Sequence, residues 1–272
     1  MKVPFPFSYF GHMIKPRKIF DGRNSYKWWQ VLVLVIFLNS LILFPVSLHY
    51  AKLETYDMER IVTRGLASVT NETYHTLQEG SIEDGRFTGT SQFSETEESL
   101  IAVLPSKELE EVALKNGKYV LLLKEDRWLF SYPDGQVLEA PLSGNKALST
   151  LKTAKDVRAF VNNQWFSSHK PLVFLFLMMV YTALLYVGTL LLLGAGSLTL
   201  YVTRKAKIFD LRTFGECLGL LVNCMGLPSL LALVAAGMGL VDNPILLMNI
   251  QVFGTLLVLM LVLYRTGFRD KK

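Results

Sequence analysis

Four apolar stretches, 31–48, 171–203, 213–241 and 245–264, govern what this chain of 272 residues can fold into, and Glu216 is their only charged side chain. A hydrocarbon layer ~30 Å thick is crossed by about 20 apolar residues in a helix. Each stretch reaches that length, and a helix satisfies its own backbone polar groups where no water is present to do so. The sequence therefore predicts a polytopic α-helical membrane protein with four transmembrane helices.

The basic residues give that layout a direction, because Lys and Arg gather on the cytoplasmic flanks of short loops. The lead, 1–30, carries Lys2, Lys15, Arg17, Lys18, Arg23 and Lys27 against Asp21. The link 204–212 holds Arg204, Lys205, Lys207 and Arg212 against Asp210, and the tail 265–272 holds Arg265, Arg269, Lys271 and Lys272 against Asp270. The turn 242–244 carries only Asp242, and residues 49–170 hold 18 acidic against 14 basic side chains. Both termini are thus expected in the cytoplasm of a bacterial cell, with 49–170 outside. The net charge of +5 is explained by basic rims facing anionic lipid and calls for no nucleic acid. No small-x-small site follows Leu48, where the chain reads His49-Tyr50-Ala51-Lys52, so the first stretch reads as an uncleaved anchor. Trp28 and Trp29 fall at the inner headgroup level.

The outer segment has no cysteine; Cys217 and Cys224 both lie in the third stretch, seven apart on one helix face, and read as packing residues. Residues 53–69 carry apolar side chains near helical spacing and predict a helical stalk continuing from the first span. A strand is expected at 100–104, and then a helix from its cap Ser106 to Lys115 with Glu108, Glu110 and Glu111 near its positive end. Runs 118–124 and 127–132 read as a hairpin, followed by the turn Pro133-Asp134-Gly135 and a third strand at 136–140. Thr153 and Asp156 are spaced as a capping box before a last helix. The fold class expected for 49–170 is therefore a small extracellular α+β domain, a short antiparallel sheet with helices, inserted between transmembrane helices 1 and 2.

No phosphate loop, nucleophile elbow, zinc-helix pair or dinucleotide turn occurs. No catalytic residue, cofactor or metal site is assigned. His12, His49, His75 and His169 are isolated in sequence, although His49 and His169 flank spans on the same expected side. Glu216 lies four residues beyond Arg212, which predicts an interfacial ion pair; a proton or substrate relay is the alternative. Asn39, Asn223, Asn249 and Gln251 read as interhelical hydrogen-bonding groups, each worth ~1 kcal/mol. Gly215 and Gly219, with Gly226 seven residues on, mark a face that admits a close backbone. Pro228 should kink its helix. The second stretch, at 33 residues, exceeds the bilayer and must tilt, protrude or bend near Gly194-Ala195-Gly196.

The lead mixes Phe5, Phe7, Tyr9, Phe10, Ile14, Ile19 and Phe20 with Lys15, Arg17 and Lys18. That composition suits a surface lying at the headgroups or docking on a protein partner. The run PFSYFGHMIKPRKIFDGR from Pro6 to Arg23, together with the polar break Leu38-Asn39-Ser40, resembles a family of Gram-positive membrane proteins that includes the streptococcal maltodextrin-utilisation protein MalA. The resemblance extends in architecture over most of the chain. It implies a place in malto-oligosaccharide uptake or use beside an ABC importer, and no site residues. The function expected is a non-enzymatic accessory or regulatory protein whose partners are the bilayer and an importer permease. A small oligomeric transporter or channel is one alternative; an extracellular sensor or envelope scaffold is another. For a sensor, Trp128, Tyr132 and Trp165 are the stacking candidates, weighed first as core.

Overall fold

A computed structural model describes residues 5–206 and 209–270. Lys2, Lys207, Lys271 and Lys272, counted above among the basic flanks, lie outside the described residues. In chain order the helices are α1 (Phe7–His12), α2 (Pro16–Asp21), α3 (Trp28–Ala51), α4 (Lys107–Lys115), α5 (Ala154–Val202), α6 (Phe214–Gly237) and α7 (Pro244–Thr266). The strands are β1 (Ser81–Glu83), β2 (Arg86–Thr88), β3 (Gln92–Glu95), β4 (Ser99–Val103), β5 (Tyr119–Leu123), β6 (Arg127–Ser131), β7 (Val137–Pro141) and β8 (Lys146–Ala147). Two compact units result, one of Met1–Lys52 with Leu175–Lys272, the other of Leu53–Phe174.

The first unit is helical. Its helices α3, α5, α6 and α7 are long and apolar enough to cross a membrane. Small residues make α6 the central one. Gly219, Cys217, Cys224, Gly226 and Ser229 are all buried on it, and short side chains let neighbours approach on several sides. Both cysteines are packing residues, fully buried and unbonded. By contrast α5 and α7 leave large apolar side chains uncovered, among them Leu175, Met179, Leu191, Phe253, Leu257 and Met260. The amphipathic run after Thr153 and the second apolar stretch form one continuous helix, α5, of 49 residues with Pro171 inside it. Gly267, left-handed at φ 57°, caps α7 by donating its N–H to Leu263.

The second unit is built on a five-stranded sheet in the order β3-β4-β5-β6-β7. The antiparallel sheet expected from the hairpins is in fact mixed. The β4–β5 pair is parallel, Leu100 opposite Val120 and Ala102 opposite Leu122, because α4 carries the chain back across the sheet before β5 begins. Ala113 of α4 packs on Leu100, Ala102, Val120, Leu122 and Leu129. Covered on both faces, β4 is buried at all five positions, and after Ser99 it reads as an uninterrupted apolar run, Leu100–Val103. A smaller sheet, β2-β1-β8, stands beside it in sequence. Ser106 caps α4 by accepting from the Leu109 amide at 3.2 Å. At the head of α5, Thr153 and Asp156 accept each other's backbone N–H at 3.0 and 3.2 Å, the reciprocal box read from their spacing.

The helical stalk expected over 53–69 does not form. Helix α3 stops at Ala51, and the following residues make turns with short 3-10 segments at Met58–Arg60 and Tyr74–Leu77. Their backbone groups bind α5 side chains instead. Asn162 accepts from the Met58 amide at 2.7 Å and donates to the Tyr56 carbonyl at 3.0 Å, while Arg158 donates to the Val69 carbonyl at 2.7 Å. Arg64, at φ 59°, reverses the chain where a helix would have to continue.

Candidate functional site

One cluster of polar side chains in the first unit lies where α6 begins. Thr213 is extended and caps the helix, its hydroxyl accepting from the Glu216 amide at 3.2 Å. That sets Glu216 in the first turn, where the helix dipole favours a carboxylate. The side chain is 7% exposed. One oxygen accepts from the Arg212 backbone amide at 2.7 Å and the other from the Asn24 side chain at 3.2 Å.

The ion pair expected with the Arg212 side chain is replaced by one with Arg23, whose Nε stands 3.8 Å from the carboxylate. The i, i+4 rule requires both residues to be helical, and Arg212 precedes the cap, where the chain is extended. Arg23, 8% exposed, also donates to Asp270 at 2.8 Å and to the Phe20 carbonyl at 3.2 Å. Its guanidinium lies 4.0 Å from the Phe20 ring centre, and Phe268 stacks on Phe20 at 5.9 Å. One arginine thus ties the lead, the start of α6 and the tail together. Its basic character was plain in the sequence; its partners, some 190 and 250 residues away, were not.

From this point the lead continues along α6. Asn223, fully buried, donates to the Ile19 carbonyl at 3.2 Å, and the Tyr9 hydroxyl donates to the Val222 carbonyl at 2.8 Å. The glycines explain how the lead comes so close. A Cβ on Gly219 would collide with the Arg23 carbonyl, and one on Gly226 would lie 2.5 Å from the Tyr9 hydroxyl. Gly215 would meet only its own Thr213, at 3.8 Å. What approaches this face of α6 is the lead. Of the lead residues singled out for docking, Tyr9 and Phe20 are fully buried in this contact, and Arg17 is half-buried between Asp21 and the Arg269 carbonyl. Phe7, Phe10, Lys15 and Lys18 remain exposed on the other side.

A second polar group joins the four long helices. Asn39 of α3 accepts from Thr189 of α5 at 3.1 Å and from Gln251 of α7 at 3.3 Å; Gln251 also donates to Ser229 of α6 at 3.0 Å. All four side chains are at most 2% exposed. Thr189 and Ser229 carry no signal in sequence, since hydroxyls in an apolar run ordinarily bond back to their own helix.

In the second unit Trp128, Tyr132 and Trp165 are core residues, at most 7% exposed, and offer no stacking platform. Burial pushes the Tyr132 hydroxyl pKa well above its ordinary value, with Asp134 adding to the effect. An open cleft of about 580 Å³ is lined by Arg64, Thr70, Glu97, Glu98, Tyr119 and Arg158 among others, with the Arg64 guanidinium over the Tyr119 ring at 4.6 Å.

No family model matches the chain, and no solved structure does. Two relatives cover most of it. The Maltodextrose utilization protein MalA of Streptococcus pneumoniae is 28% identical over 270 residues, 98% of each chain. The Putative maltodextrin utilization protein YvdJ of Bacillus subtilis is 24% identical over 230 residues, 80% of this chain and 74% of its own. The resemblance read from the lead holds. Both of these Gram-positive relatives are named for maltodextrose or maltodextrin utilisation.

Proposed function

We propose that the chain is an integral protein of a bacterial cell membrane, spanning it four times with both termini cytoplasmic and residues 49–170 outside. In this reading it serves maltodextrin uptake or use as a non-catalytic accessory subunit, bound to the permease subunits of an ABC sugar importer. The observation that carries the reading is similarity over 98% of the chain to a protein named for maltodextrose utilisation. Two features support the accessory role. The polar groups between the four long helices bond to one another, and the glycine face of α6 is filled by the chain's own lead. The exposed side of the lead, Phe7, Phe10, Lys15 and Lys18, is left for lipid or a partner.

Affinity purification from native membranes in mild detergent tests this directly. Importer permease subunits should co-elute in constant ratio to the tagged chain; a chain that elutes alone overturns the association. An extracellular sensor is the second reading, favoured by the mixed-charge cleft around Arg64 and Arg158. It requires the full-length protein to gain thermal stability when maltodextrin is added.

A further inference from the structure

The outer side of the docked lead borders a half-open cavity of about 710 Å³, and its lining divides into two chemistries. Phe5 and Phe7 supply an apolar wall, extended by Trp29, whose ring meets Phe5 at 5.7 Å. Lys18, Ser8, Ser25 and Gln30 supply donors. These donors are uncommitted. Among the described residues, Lys18 has no ion pair, and the hydroxyls of Ser8 and Ser25 have no hydrogen bond. The Gln30 carbonyl oxygen accepts from the Lys27 amide at 2.8 Å, which leaves its NH₂ unspent. His12 uses Nδ1 toward Tyr26 at 3.1 Å, leaving its second nitrogen unbonded. The lining's carboxylate, Asp21, is already paired with Arg17 at 3.1 Å, so the remaining charge is cationic.

Donors and an ammonium group beside an apolar wall match a phosphate ester attached to a hydrocarbon chain, because charge-assisted N–H and O–H bonds saturate the phosphate oxygens while the rings take up acyl surface. Phe7 in the lining is 66% exposed and Trp29 beside Phe5 is 45% exposed, and an exposed tryptophan settles at the level of lipid headgroups. We propose that this cavity holds the phosphodiester headgroup of one anionic phospholipid, with Lys18 as its principal cation. The lipid thereby fixes the outer side of a lead whose inner side is fixed on α6. The inference rests on the membrane reading above.

The test uses the full-length protein extracted in mild detergent, with equal amounts of phosphatidylglycerol and phosphatidylcholine added to the micelles and native mass spectra recorded. One phosphatidylglycerol per chain should be retained in preference to phosphatidylcholine. Lys18→Gln should reduce that retention about fivefold, the worth of one lysine contact to an anionic headgroup. Ser25→Ala should reduce it less, and Lys115→Gln on α4 should leave it unchanged. Equal retention of the two lipids, or unchanged retention in Lys18→Gln at the same melting temperature as the parent, overturns the proposal. Displacement of the lipid by millimolar inorganic phosphate reassigns the cavity to free phosphate and overturns it as well. Recovery of the chain from cells in the soluble fraction, without detergent, is a separate outcome and counts against the membrane reading itself.

Discussion

The two units bury their ionic groups in opposite ways. In the second unit the pairs Arg127–Glu139, Arg127–Asp126 and Arg64–Glu98 sit on the surface with each partner at least two-fifths exposed, and the polar side chains buried in the sheet, Ser99 and Ser131, are uncharged. In the first, large apolar side chains face outward on α5 and α7, while Arg23 and Glu216 are among the more buried residues of the unit. Water as solvent explains the first pattern, and the proposed lipid solvent explains the second. A charge facing hydrocarbon is expensive, so it is kept among peptide groups and counter-ions. The teaching is that the same residue type holds the molecule together in one unit and decorates the other.

The sharpest way to break this contrast is a pair of substitutions. Arg23→Ala strands the Glu216 carboxylate and should cost about 3–5 kcal/mol, the usual result of removing one partner of a buried pair. Trp128→Ala empties a core position in the sheet and should cost a similar 3–5 kcal/mol. Hydrogen exchange should rise over 5–26 in the first variant and over 119–141 in the second. A rise in both segments in either variant would mean that the units do not unfold separately.

Gly219→Ala comes next. Its methyl group would press on the Arg23 carbonyl, and overpacking of this kind costs about 1–3 kcal/mol. Gly215→Ala should be neutral or slightly stabilising, since its Cβ meets little and alanine favours helix. Thermal melts in detergent separate the two, and equal effects would contradict the placement of the lead. Asn39→Leu should cost about 1 kcal/mol by leaving the Thr189 and Gln251 donors without their acceptor.

The smallest effect belongs to the exposed pairs. The hydrogen bond from Arg127, aided by its charge, holds the Asp126 carboxyl below the usual carboxylate range. Its pKa is therefore lower folded than unfolded. The stability it adds is complete above the unfolded value of ~3.9 and fades as pH falls through the folded one. Asp126→Asn should lower the melting temperature slightly near pH 7, with the difference from the parent vanishing as pH falls through that acid range. A large change at neutral pH would place this pair with the buried ones.

Much of the fold could be read where the signal is local. Ser106 and the Thr153–Asp156 pair announce their helices because a cap is decided by residues three apart, and the 119–131 hairpin because β-rich runs flank a polar pair. The long apolar helices follow from length and composition. The failures have a common cause, which is competition from distant side chains. Residues 53–69 have a helical period, but Asn162 and Arg158 of α5 bond their backbone groups. The Arg212–Glu216 spacing suggested a pair, but Arg23 arrives from the lead. Gly219 and Gly226 were marked as a face for close approach; that the visitor is the chain's own lead is not written in their spacing.

The arginine junction also sets an order of events. Residues 9–23 are made well before their bonding partners at Val222, Asn223, Glu216 and Asp270. The lead must wait, unsettled, through the synthesis of everything between, because its resting place does not exist until α6 and the residues after α7 have followed. This part of the assembly closes like a clasp, with the earlier segment seated after the later one is made.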